Sequence, residues 1–139
     1  MVSAELSAAL ARFDERIMEP HQFGENDCCI ACADVLQPAW GVDLMVLYGR
    51  DYSTAAGYFR LIRKRGCSTL REAVALAAEN ADAVAVDAPY RDFDLGIVFC
   101  GTPNGVMELP GFWLDGAFRA RSPFGAVYQM EAEKAWRHG

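Results

Sequence analysis

The sequence predicts an α+β domain, with helices packed on one face of an antiparallel sheet. Residues 3–80 hold helical spacings behind recognisable caps, and the remainder breaks into short apolar runs separated by turn residues. A length of 139 residues, 53% of them hydrophobic, suits one domain over 1–139 that buries its core without disulfides or metals.

The first helix is expected over 3–18. Leu6, Leu10, Phe13 and Ile17 recur at helical spacing, Ser3 is an N-cap, and Glu19-Pro20 ends the run. A loop with His21, Phe23 and Gly24 leads to a second helix over 27–37, stopped by Pro38. Trp40 to Asp43 reads as a turn and 44–48 as a short helical piece. Ser53 or Thr54 caps a third helix to about Arg65, with Gly66 just past its end. Thr69-Leu70-Arg71-Glu72 has the capping-box form and opens a fourth helix to about Asn80.

Strands follow. Val84 to Val86 is short and Leu95 to Cys100 stronger, and Thr102-Pro103-Asn104-Gly105 carries a hairpin signal. Further strands are expected over 106–109, 112–114, 118–121 and 127–130. Pro110-Gly111, Asp115-Gly116 and Pro123-Phe124-Gly125 separate them. Trp136 packs the tail against the body, and Trp40 and Trp113 read as core or sheet cover.

A net charge of −6 argues against broad attraction to nucleic acid or anionic lipid. The basic stretch from Arg60 to Arg65 suits a helix C-terminus and needs no partner. No apolar run reaches membrane-spanning length, and the polar N-terminal stretch is unlike a signal peptide, so a soluble protein is expected. Five cysteines, an odd number without scaffold spacing, read as reduced.

Chemistry concentrates at Phe23-Gly24-Glu25-Asn26-Asp27-Cys28. With Asn26 or Asp27 as cap, Cys28 falls in the first turn of a helix, where free N–H groups and the dipole favour an anion. A thiol so placed is expected to ionise more readily and to be nucleophilic. Cys29-Ile30-Ala31-Cys32 has Cys-x-x-Cys spacing, but no strand precedes it as a redox motif would require, and the remaining cysteines and histidines lack zinc-ligand spacing. No cofactor or metal is expected.

An Asp-Cys pair heading a helix, followed by short strands, resembles the NlpC-type branch of the papain-like cysteine peptidases. Asp94-Leu95-Gly96-Ile97 stands for that family's His-x-Gly-Ile strand, and Gly105-Val106-Met107-Glu108 for the strand carrying its orienting residue. More closely, the chain resembles small phage and gene-transfer-agent proteins associated with tail tips. The shared outline is the Phe23 to Cys28 loop, Gly41-Val42-Asp43, Arg50-Asp51-Tyr52-Ser53-Thr54 and Ala135-Trp136-Arg137.

The resemblance implies a papain-like fold with Cys28 at the nucleophile position, Asp94 at the expected histidine position and Glu108 at the orienting position. A carboxylate is a poor general base for a thiol and raises the thiol's pKa by like-charge repulsion. Only two histidines exist, so a substitute base would be His21, with His138 lying in the tail. The expectation is a catalytically degenerate tail-tip, baseplate or tail-assembly protein. It would be made in the bacterial cytoplasm, located in the virion, and partnered by other tail-hub proteins. The alternative is an active peptidoglycan endopeptidase using Cys28 and His21 on wall peptides. A thiol-redox protein using Cys29 and Cys32 comes third.

Overall fold

The computed structural model describes residues 3–139. Helices α1 (Ala4–Met18), α2 (Cys28–Trp40), α3 (Ala55–Arg63) and α4 (Leu70–Asn80) precede strands β1 (Val84–Val86), β2 (Leu95–Thr102), β3 (Gly105–Leu114), β4 (Ala117–Ser122), β5 (Gly125–Gln129) and β6 (Ala135–Arg137). The strands form one antiparallel sheet in the order β1-β6-β2-β3-β4-β5, with the helices packed on it.

Each helix begins at a side-chain cap. Ser3, Asp27, Thr54 and Thr69 accept from the amides of Leu6, Ile30, Gly57 and Glu72, which satisfies donors the helix itself cannot. Helix α1 buries Leu6 and Phe13, and Phe13 meets Phe112 of β3 edge-on at 4.9 Å. Helix α2 is buried over most of its circumference, with Ile30, Ala31, Leu36 and Val35 all essentially inaccessible. A helix wrapped by α1 and the sheet needs no polar face beyond Asp34 and the exposed Gln37.

Pro38 does not stop α2, which continues to Trp40 and closes on Gly41 at φ +75°. Proline removes one late hydrogen bond, but the last turn is held from outside: the Trp40 indole donates to the Phe93 carbonyl at 2.9 Å. Residues 44–48 form hydrogen-bonded turns instead of a helix, through Val46 to Asp43 and Tyr48 and Gly49 to Met45.

Pro110-Gly111 does not divide two strands either; β3 runs through it. Ile97, opposite Pro110, sends its N–H and C=O away from β3, to Lys134 and Glu133. The pair is therefore a non-hydrogen-bonded one, and the proline nitrogen also faces away from β2, where β4 pairs only from Phe112 onward. No ladder bond is lost. Gly96 and Gly111 face each other across β2–β3. A Cβ at Gly96 would stand 2.6 Å from the Phe118 ring, and one at Gly111 would stand 2.9 Å from the Arg119 carbonyl.

The tail does more than cover the body. Residues 135–137 are strand β6, inserted between β1 and β2, and among the described residues β1 pairs with nothing else. Below β6, the free peptide edge of Phe99 is closed by a side chain: its N–H donates to Gln129 Oε1 at 3.0 Å, and its carbonyl accepts from Gln129 Nε2. Among the described residues no helix is long and apolar enough to cross a membrane.

Candidate functional site

The loop that delivers Cys28 is clamped from both ends. Gly24 stands at φ +83°, and a Cβ there would lie 1.8 Å from the Tyr52 carbonyl, so only glycine lets the two backbones approach this closely. Asp27 is buried and fully engaged: Oδ1 accepts from the Ile30 amide at 2.9 Å, and Oδ2 accepts from the Gly24 amide at 2.9 Å and the Tyr52 hydroxyl at 2.5 Å. Asn26 donates to the carbonyls of Arg16 and Pro20, and Arg16 donates back to the Glu25 carbonyl at 2.7 Å. Arg50 pairs with Asp34 at 2.7 Å and Asp43 at 3.2 Å, while Arg16 takes the other Asp34 oxygen at 2.8 Å. The Gly-x-Asp and Arg-x-Tyr segments thus fasten the loop to the start of α2.

Cys28 opens onto a groove of about 440 Å³. Its walls are Phe23 and Tyr52 from the clamped loops, Tyr58 and Phe59 of α3, Leu70 of α4, and Met107 of β3. Polar groups on the lining are Asp27, Ser68, Thr69 and Glu108. Cys28 Sγ lies 3.9 Å from Cys29 Sγ, and Cys29 in turn donates to the Tyr58 hydroxyl at 3.6 Å.

This setting does not activate the thiol as expected from its place in the first helical turn. The hydrogen bond with Cys29, burial, and the nearby Asp27 charge push Cys28 well above an ordinary thiol. The positive end of α2 is already occupied, because the Asp27 carboxylate takes the amide bond and the favourable dipole interaction itself. Tyr52 is likewise pushed up, first by burial and then by Asp27, so its hydroxyl stays protonated and donates.

The residues singled out in the sequence fall into separate places. Glu108 shares the groove with Cys28, but its Oε2 is bound by Arg71 Nε at 2.7 Å. Asp94 is not among the groove residues. It lies with Trp40 at the far end of α2, a helix of 13 residues and so about 20 Å long. There it is almost wholly buried, accepting from Arg137 Nε at 2.9 Å, Arg137 Nη2 at 2.7 Å and the Arg91 amide at 2.8 Å. Trp40 also stacks on His138 at 5.3 Å. His21 packs edge-on against Phe23 at 4.8 Å and does not line the groove, and burial holds its pKa below the usual value. On the sheet, the residues that line the Cys28 groove are Met107 and Glu108 of β3.

Cys32 sits beneath Cys29 in the core, and all five cysteines are free thiols. Among the described residues no group of three histidine, cysteine or acidic side chains is placed to hold a metal ion. The groove walls from α3, and Met107 of β3, were not evident in the sequence, which points only to Glu108 on that strand. The one available signal was Tyr58, a helical turn before the buried Ile62.

Fold and site together define an α+β domain whose buried second helix presents a cysteine to an apolar, aromatic-walled groove. Residues 2–138 match the family model described as Domain of unknown function (DUF6950), and the chain belongs to that family. Neither a curated protein nor a solved structure matches it significantly.

Proposed function

We propose that this protein is a non-catalytic binding component of a phage-type tail tip or tail-assembly apparatus, built on a scaffold of the NlpC-type cysteine-peptidase kind. The carrying observation is the Cys28 groove. It keeps the cysteine at a helix start beside an antiparallel sheet, but its lining has no imidazole, its thiol is held protonated, and its only acids are engaged by Tyr52 and by Arg71. A Cys–His pair works because the base takes the thiol proton; here the sheet offers a thioether and an ion-paired carboxylate instead. Such a groove suits holding an apolar segment better than attacking a bond. The near-complete run of outline motifs, from Phe23 to Arg137, supports placing that role among tail-hub proteins.

The test is incubation of the purified protein with peptidoglycan sacculi and soluble muropeptides, with released fragments measured by mass spectrometry. No release above a Cys28→Ala control is expected, and the protein should be detected in purified particles by proteomics. Cleavage abolished by both Cys28→Ala and His21→Ala would establish the hydrolytic alternative and end this reading.

A further inference from the structure

Two successive thiols open onto one groove. Cys28 and Cys29 both line it, and their sulfurs stand 3.9 Å apart, although neighbouring residues on a helix point about 100° away from each other. The third sulfur among the lining residues is that of Met107 on β3. Stronger nitrogen and carboxylate donors are absent or engaged. No histidine lines the groove, Asp27 is taken up by the Ile30 and Gly24 amides and the Tyr52 hydroxyl, and Glu108 by Arg71.

Two sulfurs at that separation can each lie about 2.3 Å from one ion, an ordinary metal–thiolate bond length, and then subtend about 116° at it. Such an angle belongs to a three-coordinate ion, with one place left for a further donor. Thiolates and a thioether, without imidazole or free carboxylate, select copper(I). Zinc takes four ligands and would lack two of them here.

We propose that Cys28 and Cys29 bind one copper(I) ion, with the Met107 thioether as third ligand. The ion enters between the sulfurs, where they now share a hydrogen bond. Two S–H bonds break, two S–Cu bonds form, and both protons leave to water with no change in oxidation state. The hydrogen bond that does most to hold Cys28 protonated is thereby removed. Phe23, Tyr58 and Phe59 wall the place and limit the access of solvent, which keeps copper in its reduced state. The site asks only that the two thiols and Met107 stand where they do, so it is independent of any role in a tail.

Anaerobic titration of the full chain with copper(I), buffered by a chromophoric chelator, tests this, paired with X-ray absorption at the copper edge. The expected result is one ion per chain, ringed by three sulfur scatterers at about 2.3 Å. Cys28→Ser and Cys29→Ser should each abolish competition with the chelator. Met107→Leu should weaken binding about tenfold and lower the sulfur count to two. Cys32→Ala and Cys100→Ser, which remove a core thiol and the most accessible one, should change neither readout. Binding that survives both serine variants at 28 and 29, that is lost with Cys32 or Cys100, or that ignores Met107→Leu would overturn the proposal, as would nitrogen or oxygen scatterers in place of sulfur. If a cysteine variant fails to fold, the wild-type sulfur count and its drop in Met107→Leu decide the matter alone.

Discussion

The Tyr52 hydroxyl donates to Asp27 Oδ2 at 2.5 Å, and this bond ties the segment after α2 to the residue that begins it. Because Asp27 is 2% exposed, the bond is made to a charged group shielded from water. Tyr52→Phe removes one of the carboxylate's donors and leaves the ring packing on Tyr58 in place. A loss of about 1–3 kcal/mol is expected in urea unfolding. A change within error would mean that the bond does not hold the loop.

Two glycines with the same sign of φ should respond differently to alanine. At Gly24 the new methyl meets the Tyr52 carbonyl, whereas at Gly41 nothing lies within 4 Å. Gly41→Ala should cost only the left-handed backbone penalty, about 1–2 kcal/mol. Gly24→Ala should cost more than 3 kcal/mol or abolish soluble expression, because backbone has to move. Equal midpoints for the two variants would refute the close approach of loop and Tyr52.

His21 links folding to pH. Its folded pKa is lowered, chiefly by burial and next by Arg121, so the unfolded chain binds its proton more tightly. Unfolded protein then holds more protons just below pH 6.5, and stability rises with pH through that range. The His21 contribution is intact above the unfolded value and is lost as pH falls through the folded one. Proton NMR should place the His21 titration below 6.5, and His21→Gln should flatten that part of the stability–pH curve. A midpoint at or above that value refutes the assignment.

Asp94 and Glu108 each hold an arginine, but in different surroundings. The Asp94 side chain is 1% exposed and that of Glu108 30%. Asp94→Asn should therefore lower the denaturation midpoint more than Glu108→Gln, since it leaves Arg137 facing an amide in a buried site. The reverse order would show that the Arg137 contact carries little of the β6 attachment.

Local rules read the helical half well. Ser3, Thr54 and Thr69 cap where their sequences imply, because a cap depends on a few neighbouring residues. Pro38 and Pro110 misled for one common reason. Pro38 gives up a helix bond in a last turn that Trp40 holds from outside, and Pro110 gives up none because of its place in the register; neither circumstance leaves a mark in a local window. Strand β6 was missed because Ala135-Trp136-Arg137 lacks the β-branched residues that mark the equally short Val84 to Val86. The site was half legible: Asp27 as cap and Cys28 as first residue both follow from the sequence. That the same Asp27 would claim the dipole, and that Asp94 would lie at the opposite end of α2, depended on packing. The sheet register brings Met107 and Glu108 to the groove, and no spacing in the sequence states that.

Strand β6 lies between β1 and β2, although it comes last of the six along the chain. During synthesis, Val84 to Val86 leave the ribosome well before the segment that pairs with them. Until Ala135 to Arg137 arrive, those residues and one flank of Leu95 and Gly96 wait unzipped. The nascent domain is therefore most open to chaperones or to wrong strand partners in the interval before its final threads are woven in.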